Sequence, residues 1–411
     1  MTTDFWKRIA QNRLLDVGAV GIALLVVVML ATKLPERAKQ IDFVHYYLSS
    51  RLLLEHKNPY ATPLAPLCEQ YGFVCHGDIP TGTNPPPLLW LFAPFALLPP
   101  LGAYCLWQLL QVAALAVLLW QARRLLANRL SARGFRFLVA AAVASAPVYW
   151  HFYYAQVQLL LAALALTGYA WMLRGRTHAA CLAVTAAGLL KLFPLVLVPW
   201  FIWGTDGDRR KRITRAAAVV ALAGLVFLAT GPELWGQFVR DGMKVVSDWT
   251  VNRQSNFSLP SFVMNFGFAA YGFAPPEPVA RVWWRVGAAT GLCLLGACYT
   301  LCLRTKRDME TQFCLLCVAM LAGGMVTWGN YFVFLIFPMT VLARRLAANP
   351  GAGGILGFAL LCALLNSHGG RAGPFLDEHL HLKVLCNYLP LYGLLVLTFC
   401  FAGKLRGSRD G

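Results

Sequence analysis

Long apolar runs separated by short basic or proline-rich connections make up most of the 411-residue chain. Residues 17–31 and 101–120 carry no charged side chain at all. Runs of this kind are what a helix needs to cross hydrocarbon, where only helices and closed barrels satisfy their own backbone. The pattern predicts an all-α polytopic membrane protein, with short re-entrant or interfacial helices between its spans.

Basic clusters set the direction of each crossing, because cytoplasmic connections collect Lys and Arg. Lys7, Arg8 and Arg13 precede residues 14–34. That run is long and no small-x-small cleavage site follows it, so a retained anchor is expected rather than a signal peptide. The loop 35–85 is then outside. Residues 101–120 return to the basic segment 123–136, and 87–98 is too short and proline-flanked to cross, reading as half-inserted. Residues 178–203 lie between two basic segments, which is met by two helices joined near Lys191-Leu192-Phe193-Pro194. One kinked helix with Lys191 snorkelling is the plainer alternative, and it would invert every later loop. A second large outer segment covers 231–278. The chain also goes out from about 137 and back by 173, and out again over 215–230; runs near 279–303 and 313–326, the return from Tyr331 to Arg344, and runs near 355–365 and 384–402 bring the total to about twelve crossings, both termini cytoplasmic, in one integral domain over 1–411.

Composition agrees: 58% of residues are hydrophobic and 13% charged. The net charge of +18 would suit a nucleic-acid binder, but the cations sit in short segments between apolar runs. No nucleic-acid partner is expected. Most of the 12 cysteines are scattered through apolar segments. Cys68 and Cys75 both lie in the first outer loop and are disulfide candidates if that loop meets an oxidising compartment.

Asp42 changes the picture, since a carboxylate beside a bilayer is costly without a partner or a task. As a helix, 42–56 places Asp42, His45, Tyr46, Ser49 and His56 on one face and Phe43, Val44, Tyr47, Leu48 and Leu54 on the other. This predicts an interfacial helix with its polar edge toward a cavity; a simple helix-capping Asp is the blander reading. Other polar clusters fall on the same outer side: Asn84-Pro85-Pro86-Pro87, His151 to Gln158, Lys191, Asn252 to Ser258, and Trp328 to Tyr331. Together they predict a chamber with one carboxylate, two cations and several amide or hydroxyl groups. That inventory suits an anionic lipid-linked ligand and a hydroxyl acceptor.

Asp42-Phe43-x-x-Tyr46-Tyr47, Asn58-Pro59-Tyr60, Asn84-Pro85-Pro86-Pro87 and Pro94-Phe95-x-x-Leu98-Pro99 resemble the motifs of glycosyltransferase family 87. Gln156-Val157-Gln158, Lys191-x-x-Pro194 and Asn256-x-Ser258-Leu259 follow in the family's order, with Ala155, Gln158 and Phe257 replacing the usual Gly, Asn and Gln. Asn330 stands before Tyr331 where many relatives carry His, and an amide cannot ionise; His45 or His151 would have to supply any such charge. The resemblance implies a GT-C-type helical bundle similar to phosphatidylinositol mannoside mannosyltransferases. It implies inverting transfer of mannose or a pentose from a polyprenyl-phosphate donor to a lipid or glycan hydroxyl, in the cell membrane with the site facing outward. Asp42 would be the general base and Lys191 and Arg253 the phosphate ligands. His45, Tyr46, His151, Gln156, Gln158, Asn256 and Asn330 would hold sugar or acceptor. No cofactor is expected, nor a metal: Asp78 is the next Asp along that loop, and Glu233, Asp241 and Asp248 would have to approach in space. A secondary transporter or lipid flippase for lipid-linked sugars is the competing class.

Overall fold

The computed structural model describes residues 41–73, 81–126, 131–203, 208–250, 253, 255–305, 308–348, 351–367 and 378–407, with single positions before residue 41. The first expected span, 14–34, and the basic residues ahead of it lie outside the described residues apart from such single positions. Every regular element among the described residues is helical. Those that matter for the site are α1 (Ile41–Leu54), α2 (Pro86–Ala96), α3 (Pro100–Leu126), α4 (Ala146–Tyr153), α5 (Gln158–Leu173) and α6 (Thr177–Leu190). They continue as α7 (Arg209–Thr230), α8 (Leu259–Ala269), α9 (Glu277–Arg304), α10 (Met309–Gly323), α11 (Ile336–Ala348), α12 (Leu380–Asn387) and α13 (Leu389–Gly407).

Among the described residues four stretches are long and apolar enough to cross a membrane: Pro100–Leu126, Arg209–Thr230, Glu277–Arg304 and Gly329–Ala348. Leu380–Asn387 and Leu389–Leu405, bent by 53°, make a fifth if they form one span. Among the described residues the count of about twelve is not reached by length alone, because seven other apolar helices there have only 10–17 residues. Pro86–Ala96 is among these; at 11 residues it is too short to cross.

The centre is built by α5 and α10. Helix α5 packs between α3 and α6, and α10 packs against α9 and α13. Tyr169 of α5 stacks on Phe313 of α10 with centroids 4.4 Å apart and planes within 5°. In α10, residues 311–323 are all buried. Lipid gives apolar side chains no reason to leave it, so close packing and internal hydrogen bonds must hold such helices together. Gly287 and Gly291, one turn apart on α9, show how: a Cβ on Gly287 would lie 2.7 Å from Pro260 O, and one on Gly291 would lie against Gly323 O. The clasp at the other end of α10 is ionic. Glu310 receives Arg344 Nη1 at 2.9 Å and Arg345 Nη2 at 3.2 Å.

The hairpin expected at Lys191 is present as a break. Helix α6 ends at Leu190, Lys191 is extended (φ −154°, ψ 120°), and a 3₁₀ turn at Phe193–Leu197 leads into Val198–Trp203. These last two pieces fold back against α6. Gly188 makes room, since a Cβ there would meet Leu195 Cγ at 2.7 Å.

Helix α1 differs from its expectation. Residues 43–50 are all buried, so it is enclosed by protein rather than laid between lipid and a cavity. Phe43 sits edge-on to Tyr104 (5.1 Å) and Phe92 (5.8 Å), and Tyr46 meets Phe92 (5.7 Å) and Trp107 (6.1 Å). Ser50 Oγ and Tyr47 OH donate to Leu89 O (2.9 Å) and Leu98 O (2.8 Å), pinning α1 to α2 and the turn beyond it. His56 lies past the helix end with φ 55° and is exposed, away from the face it was assigned.

Candidate active site

A cavity of about 1000 Å³ opens where α1, the turn at 83–85, the end of α4, the Lys191 break, residues 253–257 and residues 328–331 meet. Each outer-side cluster of the sequence therefore sends at least one residue to a single chamber.

Gln156 is its organising side chain. It follows Ala155, whose φ of 51° lies in the left-handed region and turns the chain from α4 into α5. A methyl-bearing residue there costs roughly 1 kcal/mol or more, and the turn is held by bonds from α3. Trp107 Nε1 donates to Ala155 O (2.7 Å), Gln108 Nε2 donates to Phe152 O (2.7 Å), and His151 Nε2 pairs with Gln111 Oε1 (3.2 Å). Gln156 Oε1 then accepts from Tyr46 OH (2.9 Å), Gln158 Nε2 (3.0 Å) and Lys191 Nζ (3.1 Å). With its oxygen so occupied, its amide N–H is free to donate to the Asp42 carboxylate, and the two side chains are hydrogen-bonded.

Asp42 keeps part of its surface in the cavity. Burial pushes its carboxyl above the usual carboxylate range, while the Lys191 ammonium and the Gln156 bond draw it back. The base is thus strengthened and still has a cation beside it. Lys191 also lies 5.2 Å from the centroid of the Tyr331 ring, a contact that steadies an ammonium withdrawn from water. Burial lowers His45 to about 4, so its imidazole is neutral at pH 7.

The loops that close the chamber are fixed by other quoted motifs. Asn58 Oδ1 accepts from Tyr60 N (2.8 Å), Pro59 O accepts from Gly82 N (2.7 Å), and Tyr60 OH donates to Asn84 O (2.8 Å). Arg253 reaches the cavity from an exposed position. Asn252 and Gln254 lie outside the described residues.

Of the residues singled out from sequence, Asp42, His45, Tyr46, Gln156, Lys191, Arg253 and Asn330 line the chamber. His151, Gln158 and Asn256 do not; all three are fully buried behind it. Gln158 orients Gln156. Asn256 ties the outer segment down: its Nδ2 donates to Met325 O (2.9 Å) and its Oδ1 accepts from Thr327 N (2.7 Å). Sequence reading gave no role to Trp150, just before the quoted stretch, or to Tyr154 within it; both line the chamber and could have been found as an aromatic pair one helical turn apart. Cys68 is disulfide-bonded, while Cys75 lies outside the described residues. Asp78 is also outside them, and neither Glu233 nor Asp241 lines the chamber. Among the described residues no three His, Cys, Asp or Glu side chains are grouped to hold a metal ion.

The family model described as glycosyltransferase family 87 matches residues 83–338, more than half of the chain. No curated protein matches it.

Proposed function

Since the chain belongs to glycosyltransferase family 87, we propose that it transfers a sugar, mannose or a pentose, from a polyprenyl-phosphate donor to a lipid or glycan hydroxyl. Lys191 and Arg253 hold the donor phosphate; charge-assisted contacts to phosphate are strong where water is scarce. The acceptor hydroxyl attacks the anomeric carbon from the face opposite the phosphate, and the configuration inverts. As the new C–O bond forms, the bond to phosphate oxygen breaks and the acceptor proton passes to Asp42. Phosphate leaves without needing a proton, so one carboxylate suffices where glycosidases use two. Gln156 keeps the carboxylate aimed and links it to Lys191.

The observation that carries this reading is the sharing of one amide by Asp42 and Lys191: the proton acceptor and the phosphate cation flank a single fixed group. In the same reading the chamber faces away from the cytoplasm and both termini are cytoplasmic, in a GT-C-type bundle of about twelve crossings.

The test offers purified protein a panel of polyprenyl-phosphate sugars and follows the acceptors by mass spectrometry. Asp42→Asn should lower transfer by about 10²–10⁴-fold with the protein still folded in the membrane. Full turnover by that variant would remove Asp42 as the base. Movement of labelled lipid-linked sugar across sealed vesicles with no new glycosidic bond would mark a transporter instead.

A further inference from the structure

Two aromatic side chains of the chamber have no part in this chemistry. Trp150 and Tyr154 sit one turn apart at the end of α4, and both line the cavity that holds Asp42. Their rings stack, with centroids 5.6 Å apart and planes 24° apart. Tyr153 braces both, lying 5.0 Å from the Trp150 ring and 4.7 Å from the Tyr154 ring. Aromatic side chains in a membrane protein often do no more than anchor it at the lipid surface. Here the two rings line the same cavity as Asp42, and each is only half-buried.

We propose that Trp150 and Tyr154 form a platform for a sugar ring, with Asn330 accepting a hydroxyl of that ring; the inference deepens the transferase reading and rests on it. An aromatic face carries negative charge density and attracts the weakly positive C–H edge of a neighbour, which is what one face of a pyranose or furanose presents. Asn330 adds the polar half. It is 4% exposed, lines the same chamber, and its Oδ1 has no hydrogen-bond partner. Its 3₁₀ segment, Gly329–Leu335, packs directly against α4. A buried acceptor left without a donor is costly unless a ligand supplies one.

The platform is also in register with the reacting group. Gln156 N donates to His151 O (3.1 Å), so rings and catalytic amide belong to one short rigid stretch. That stretch is latched to α3 through Trp107 and Gln108. A ring stacked on Trp150 is thereby placed at a fixed offset from Asp42. Position 330 holds a neutral amide, which suits a hydroxyl better than a phosphate.

Saturation-transfer NMR on the full chain in nanodiscs tests this with methyl α-mannopyranoside and methyl arabinofuranoside as probes and glycerol as a ringless control. One of the glycosides should receive saturation at its ring C–H protons. Binding should weaken about three- to tenfold in Trp150→Leu and in Tyr154→Leu, less in Trp150→Phe, and weaken in Asn330→Ala. The signal is read from binding alone, with no transfer required, so the result does not depend on turnover. Where transfer is measurable, Trp150→Leu should raise KM for the acceptor if the acceptor ring stacks there, or for the donor if the donor sugar does, with kcat changed less. Equal binding in wild type and both leucine variants, each melting normally, overturns the proposal. So does wild type that binds neither glycoside.

Discussion

At the scale of single residues the site depends on an amide rather than on the carboxylate alone. Gln156 Oε1 collects three donors, which leaves its N–H for Asp42. Replacing it by Glu removes that donation and sets a second negative charge beside Asp42. The carboxyl of Asp42 is already raised by burial. Because the base works only when deprotonated, transfer must fall as pH drops through that raised value. In Gln156→Glu the acid limb of the rate profile should move to higher pH by about one unit, and the rate at pH 7 should fall. A pH–rate series on both proteins checks this; an unmoved limb would separate the limb from Asp42. Sequence could show that Asp42, Gln156 and Lys191 were polar groups in unfavourable places. It could not show their order of contact, since residues 42, 156 and 191 meet only through the fold. Asn256 shows the opposite error: a polar residue in an outer loop looks available for ligand, yet it is consumed by Met325 O and Thr327 N.

At the scale of elements, most departures from expectation come from short helices. Helix-length apolar runs are legible because hydrocarbon thickness imposes a length. A run of 10–17 residues carries no such mark, so α5, α6, α8 and α10 could not be told apart as crossings, returns or buried struts. Helix α1 reads as amphipathic, yet residues 43–50 are buried on every side because loop 81–85 and α2 cover what water or lipid would have met. The α4–α5 turn makes a sharper demand. Ala155 stands at φ 51° and is fully buried. Ala155→Gly should be tolerated, because the backbone relief of roughly 1 kcal/mol offsets the lost methyl contact. Ala155→Val should lower the melting temperature and abolish transfer, since a branched side chain is strongly disfavoured there. The pair compared by thermal melting and activity decides it; a Val variant as active as wild type would mean that the turn does not set Gln156.

At the scale of the whole molecule, the architecture holds a chamber at the meeting of segments spread from residue 42 to residue 387. The convergence was legible because basic clusters give direction to each apolar run, which brings distant polar stretches to one side on paper. The same logic gives a test of orientation. On a background with exposed cysteines changed to serine, Ser255→Cys at the chamber and Arg210→Cys near the start of α7 should react with an impermeant maleimide from opposite sides of sealed vesicles. Labelling of both from one side would contradict the proposed topology.

Helix α10 has a consequence for how the protein meets its bilayer. From Thr311 on, its residues are shielded by neighbouring helices, and its 15 residues span only about 22 Å at 1.5 Å each. An axle that never touches acyl chains has no thickness to match. Thinner or thicker membranes must then be accommodated by tilting of the outer helices, α7 foremost, while the hub and the stretch stacked on it keep their spacing.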